Sequence, residues 1–248
     1  STFVANEGNF RGIYVCDKGN KRIVVFDPDT LEYVKTIEQP RSELIDNYDP
    51  ISCVVDKYGR VYVAPEMTKN GILVMTYEGE FINFIGAPKV AVKGLDALIA
   101  LIAPAAVPSG TTPTTYTNLE LDSTTGEFVY GTIIFSSEYE QDQLTSLTSK
   151  TSDYSPVRLL NANGTDIMKR NGFFDPGGEV GVLSTAELSK ITDIAIGPEG
   201  SWTILDSNTT IQRTRTFTYN SNGDLLFAFG DMGVQLGNFE NPQAMTYQ

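Results

Sequence analysis

The run Gly12-Ile-Tyr-Val-Cys-Asp17-Lys-Gly-Asn20-Lys-Arg22-Ile-Val-Val-Phe26-Asp27, continuing through Thr30-Leu-Glu-Tyr-Val-Lys-Thr-Ile37, decides the fold. Ile13 to Cys16 is β-branched and aromatic, the composition of a strand. Lys18-Gly19-Asn20 is a turn, because Gly and Asn tolerate positive φ. Ile23 to Phe26 is a second strand, Asp27-Pro28-Asp29 a second turn, and Tyr33 to Ile37 a third strand. Thr2-Phe-Val-Ala followed by Asn6-Glu-Gly8-Asn9 adds a strand and turn upstream. The unit is therefore four short antiparallel strands.

Working outward, the same unit returns three times. The second copy reads Ile51–Asp56, Arg60–Ala64, Gly71–Tyr77 and Glu80–Ile85. The third reads Tyr116–Asp122, Glu127–Phe135, Pro156–Leu160 and Thr165–Lys169. The fourth reads Ile191–Ile196, Ser201–Asp206, Arg215–Tyr219 and Asp224–Phe229. The turn glycines between first and second strands are Gly8, Gly59, Gly126 and Gly200, spaced by 51, 67 and 74 residues. A minimal four-stranded blade takes about 40–45, and the excess lies in insertions. Four-stranded units repeated without helical crossovers predict an all-β β-propeller. The 248 residues are one domain with blades at about 1–40, 45–88, 113–170 and 188–231. Residues 237–248 are the first strand of a further or closing blade.

Three long additions interrupt the pattern: Ala87–Thr115, Ser136–Tyr154 and Arg170–Lys190. In an antiparallel blade, the second-to-third loop and the link to the next blade leave at one end. The additions are thus expected on one face, with the Asp17–Arg22 turn. Within the first, Leu95, Leu98, Ile99, Leu101 and Ile102 have helical spacing before Pro104. A short cap helix is the expectation; it lacks the cationic face of a membrane-surface helix.

Composition removes whole classes of chemistry. There is no histidine, which excludes Ser-His-Asp and Cys-His nucleophiles, His-ligated zinc and an imidazole base. Lys+Arg number 18 against 31 Asp+Glu, a net charge of −13, so nucleic acid is a poor partner. No apolar run reads as a membrane span. Cys16 and Cys53 both fall in strand-like runs; buried thiols or one bridge between neighbouring blades are the two readings. Abundant Thr, Ser, Asn, Gly and Tyr with little cysteine point to an exported or cell-surface bacterial protein.

The quoted stretch, Gly-Ile-Tyr-Val-Cys-Asp17-x-Gly-Asn20-x-Arg22-Ile-Val-Val-Phe26-Asp27, resembles an NHL repeat. So do Asp56-x-x-Gly59-Arg-Val-Tyr-Val and the tail Gly237-Asn-Phe-x-Asn-Pro242. The family's His between Asn and Arg is Lys21 here. The second copy has no Asp/Asn/Arg turn, and the third and fourth keep only Arg158 and Arg215 loosely in place. The resemblance implies a six-bladed TolB-like/NHL propeller, like those of gut Firmicutes surface proteins. It also implies that the chain is incomplete, a segment of a longer protein with further domains, or that its last strand closes the first blade. Such propellers mostly bind proteins, RNA or glycans, and a minority are enzymes.

Two functions follow as expectations. The first is a non-enzymatic binding module for a protein or glycan on the loop-bearing face. Its candidate contacts are Asp17, Asn20, Arg22, Glu138, Tyr139, Asp142, Tyr154, Phe173 and Phe174. The aromatic rings could stack on a sugar or peptide, although anchoring of the loops accounts for them equally. Asp17, Asn20 and Arg22 are expected mainly to hold their own turn. Glu138, Glu140, Asp142 and Asp153 form an acidic run without the fixed spacing of a calcium loop. The second function is a Ca²⁺-dependent lactonase-like hydrolase with Asn118, Asp122 and Asp193 around an axial metal. Ca²⁺ is the one cofactor the sequence leaves open, and a zinc amidating lyase is excluded for want of histidine.

Overall fold

Short apolar strands joined in chain order build four antiparallel sheets. The computed structural model describes residues 1–45, 48–66, 68, 70–87, 115–122, 124–134, 155–170, 174–176, 191–208 and 212–247. The first sheet comprises β1 (Thr2–Ala5), β2 (Gly12–Asp17), β3 (Arg22–Phe26) and β4 (Tyr33–Glu38). The second comprises β5 (Pro50–Val55), β6 (Arg60–Pro65), β7 (Ile72–Thr76) and β8 (Phe81–Ile85). The third has β9 (Thr115–Leu121), β10 (Val129–Ile134) and β11 (Val157–Leu160). The fourth has β12 (Ile191–Ile196), β13 (Trp202–Asn208), β14 (Arg213–Tyr219) and β15 (Leu225–Phe229). This is an all-β, propeller-like architecture: three sheets of four strands and one of three. The cap helix expected within Ala87–Thr115 lies outside the described residues.

The hairpin turns share one device. Asp56 Oδ1 accepts the amides of Tyr58 and Arg60, both at 2.9 Å, while Gly59 N–H donates to the Asp56 carbonyl. Asn161 and Asn220 repeat the pattern before Gly164 and Gly223. The side chain supplies an acceptor to amides that the tight turn would otherwise leave unpaired. Gly59 has φ +81°, and a Cβ there would lie 2.3 Å from the Phe10 ring. No other residue fits that turn.

The expected fourth strand of the third sheet, Thr165–Lys169, does not form. Asp166 explains why. Its Oδ1 accepts the Leu159 amide at 3.2 Å and the Met168 amide at 3.0 Å. The carboxylate so replaces the backbone carbonyl that a regular ladder needs, and only a single bridge, Leu160 to Asp166, remains.

The core is divided between sheets. In the second sheet, Cys53, Val55, Val61, Val63, Leu73 and Met75 face the first sheet, packing on Tyr14, Ile23, Val25 and Ile37. The alternate residues Val54, Tyr62, Ala64, Ile72 and Val74 face the third, meeting Tyr116, Leu119, Val129 and Ile133. A third cluster joins the third and fourth sheets around Trp202, which stacks on Tyr219 at 4.3 Å between centroids. Burial of both faces explains why β6 and β7 read as unbroken apolar runs. Among the described residues, three such clusters join four sheets in a row, and none joins the fourth to the first.

The first strands of the sheets line up on an axis: β1 packs on β5, β5 on β9 and β9 on β12. The tail, expected to open another blade, forms no strand over 242–247. It lies against the fourth sheet, with Met245 N–H donating to Asp193 Oδ2 at 2.8 Å and Tyr247 OH bonded to Thr203 Oγ1.

The Asp56 turn gives a direct test. Asp56 is 1% exposed and also accepts from Arg60 Nε and Tyr62 OH. Asp56→Ala strands a guanidinium, a phenol and two amides, and is expected to cost about 3 kcal/mol in urea denaturation. A loss well under 1 kcal/mol would contradict the role assigned to this carboxylate.

Candidate functional site

The axial strands enclose a cavity of about 1060 Å³. Its walls are β1, the C-terminal parts of β5 and β9, β12 and the tail residues 243–247. It lies towards the end of the molecule that carries the first-to-second-strand turns, around Asn6–Phe10, Lys57 and Gly126. The long insertions leave the opposite end of their sheets.

Strand alternation places the polar groups. Asn118 and Glu120 are two residues apart on β9, so they share a face. On β12, the register shifts between Ile191 and Asp193, at Thr192. The Thr192 carbonyl accepts Asn118 Nδ2 at 2.9 Å, and the same amide donates to Thr132 Oγ1 at 3.2 Å. This cross-sheet bond fixes β9 beside β12 and brings Glu120 to face Asp193 across the cavity wall.

Both acids are shifted, Glu120 in part by its neighbour. Burial pushes the Glu120 carboxyl up to about 7, and the nearby Asp193 charge adds to the rise. Burial also raises Asp193, opposed by the amides of Met245 and Ile194. A dry pair of carboxylates resists double ionisation. Chemically, such a pair can hold a cation or share a proton.

The residues named from sequence fall into separate places. Asp17, Asn20 and Arg22 hold their own turn: Asn20 Nδ2 donates to both Asp17 oxygens at 3.0 and 2.9 Å, and Arg22 Nε donates to Oδ2 at 2.8 Å. These bonds, first from Asn20 and then from Arg22, hold the Asp17 carboxyl below its usual range. Lys18 and Lys21 tie the turn to Glu66 and Asp49 of the second sheet. Phe174 is fully buried, edge-on to Trp202 at 4.9 Å and to Tyr219 at 5.4 Å. It is a core residue, closed to any ligand, which corrects its listing among stacking residues. Glu138, Tyr139, Asp142, Tyr154 and Phe173 lie outside the described residues.

The three residues named for an axial metal, Asn118, Asp122 and Asp193, all line the axial cavity, and each is already engaged in hydrogen bonds. Asp122 is 6% exposed and caps its own turn, accepting Thr124 N–H, Thr125 N–H and Thr125 Oγ1–H. Asp193 spends one oxygen on Met245, and the Asn118 amide nitrogen spans to Thr192 and Thr132. Among the described residues, no three His, Cys, Asp or Glu side chains are grouped to hold a metal. Glu120 was not singled out in the sequence. The available signal was Asn118-x-Glu120, polar residues alternating on a strand whose neighbours are buried.

No family model matches this chain, and no curated protein matches it. Solved structures do. Kuenenia stuttgartiensis hydrazine synthase aligns with a TM-score of 0.50 at 8% identity, over 92% of this chain and 47% of that one. A protein of unknown function from Bacteroides caccae aligns at 0.48 with 13% identity, over 93% and 59%. KlHsv2 with loop 6CD replaced by a Gly-Ser linker aligns at 0.44 with 12% identity, over 96% and 55%. The chain thus spans 47 to 59% of these structures. At 8% identity the first likeness concerns fold alone, and it agrees with the propeller-like arrangement of the sheets.

The carboxylate pair predicts a pH-dependent substitution. Glu120 binds its proton more tightly folded than unfolded, so its contribution to stability falls as pH rises from about 4.5 towards 7. Glu120→Gln is therefore expected to be close to neutral at pH 4 and stabilising at pH 8, by up to about 3 kcal/mol. Paired thermal melts at the two pH values check this. An equal effect at both would place Glu120 in solvent.

Proposed function

We propose that this chain is a binding module of a six-bladed, NHL-like propeller, exported to a bacterial surface, that holds a protein partner through a cationic side chain. One observation carries the reading: the axial cavity presents Glu120 and Asp193 side by side, partly dehydrated, in a sequence with no histidine. An entering lysine or arginine would let both acids ionise, and its charge would be read in a low-dielectric site where it counts most. A glycan offers no such charge and is the weaker candidate. The net charge of −13 steers cationic partners and repels nucleic acid.

The sheets support a propeller of more than four blades. Three interfaces join four sheets, and the cavity is bounded by β1 on one side and by the tail beside β12 on the other. A Ca²⁺-dependent lactonase-like hydrolase would use Asn118, Asp122 and Asp193 together. Asp122 is committed to its turn, which leaves that reading one ligand short.

Isothermal titration with an acetylated tetralysine peptide at pH 8 tests the proposal. Binding is expected to weaken at least about fivefold in Glu120→Gln, consistent with loss of a desolvated charge contact. Glu80→Gln, at an exposed site outside the cavity, is expected to bind like the parent. Equal weakening in both variants would reduce the effect to net charge and overturn the site. Ca²⁺ titrated alone separates the rival: tight binding lost in Asp193→Asn would favour the hydrolase.

A further inference from the structure

We propose that Cys16 and Cys53 are a redox-active pair that closes to a disulfide between the first and second sheets by exchange with a small-molecule disulfide. The placement follows from register. Cys16 on β2 lies opposite Ile23, whose side chain is fully buried in the interface with the second sheet. Cys53 on β5 lies opposite Val63, in the same interface, on the face directed at the first sheet. Both are free thiols in that shared interface, near enough that each shifts the other's titration.

Their surroundings differ in the way exchange requires. Cys16 is half-buried and reachable, and accepts a further hydrogen bond from the Ser1 hydroxyl at 3.8 Å. Its thiol is held below the usual range, chiefly by the bond from Cys53. Cys53 is 1% exposed and is raised by the same bond and by burial. Beside both sits Tyr48, fully buried, whose hydroxyl has no hydrogen-bond partner among the described residues. A partly exposed thiol of lowered pKa next to a buried thiol is the arrangement of an attacking and a resolving cysteine.

The chemistry balances as two exchanges. The Cys16 thiolate attacks one sulfur of an external disulfide, such as oxidised glutathione; the S–S bond breaks and one thiolate leaves. Cys53 then gives up its proton and attacks Cys16 Sγ, expelling the second thiol. The protein loses two hydrogens and two electrons, and the reagent is reduced to two thiols. The bridge would tie β2 to β5 and enclose β3 and β4 in a covalent loop.

The test uses the full chain, native at pH 8, treated with excess oxidised glutathione and read by intact mass and thermal melting. The expected product is lighter by about 2 Da, carries no adduct and returns to the starting mass with dithiothreitol. Its Tm is expected to rise by roughly 5–10 °C, as a loop of this length predicts. Cys53→Ala is expected to keep one glutathione on Cys16. A wild-type chain that retains the adduct, stays unmodified or forms a covalent dimer overturns the proposal, and this arm needs no variant to fold.

Discussion

A twisted four-stranded sheet has two apolar faces and no means of burying both alone. In this chain each sheet uses its neighbour. The second sheet shows the constraint most clearly: odd-numbered residues such as Val61 and Leu73 pack towards the first sheet, and even-numbered ones such as Tyr62 and Ile72 towards the third. Side-chain period two then fixes register, since a one-residue slip would exchange the two interfaces. The Asx–Gly turns enforce that register from the ends. Asp56 and Gly59 set the length of one hairpin, and Phe10 from the neighbouring sheet fills the space that Gly59 leaves open.

The polar axis is a consequence of the same packing. First strands pack together at the centre, so polar residues there line the cavity between neighbouring strands. The Asn118 bond to the Thr192 carbonyl fixes β9 against β12, and Glu120 and Asp193 are thereby brought near one another. Their mutual repulsion is tolerated because Glu120 can carry a proton near neutral pH. The fourth sheet differs in kind: Thr203, Thr214, Thr216 and Thr218 are buried on its far face, where the tail contributes Tyr247.

Much of the fold was legible because strands, turns and glycines are local signals. Sixteen blade strands were marked in sequence by β-branched and aromatic runs, and fifteen of them are present within a residue or two of their expected ends. The failed strand at Thr165–Lys169 has the same composition, but Asp166 competes for ladder amides, and that competition depends on where the carboxylate points. The Asp17 turn was legible as self-contained because its donors and acceptors lie within five residues. The axial pair was only half legible. Asp193 was named and Glu120 was not, because alternation reports sidedness without saying which strand stands opposite. Phe174 was ambiguous for a similar reason: an aromatic beside Pro and Gly can serve a ligand or a core, and Trp202 and Tyr219 decide in favour of the core.

The central claim is that β9 and β12 stand side by side along the cavity and hold Glu120 and Asp193 near enough to interact. The measurement that tests it most directly is a carboxyl ¹³C NMR titration of Glu120, repeated in Asp193→Asn. The account predicts a midpoint near pH 7, falling when the Asp193 charge is removed. A midpoint near the ordinary glutamate value of about 4.3, unchanged by the substitution, would contradict both the axial packing and the site built upon it.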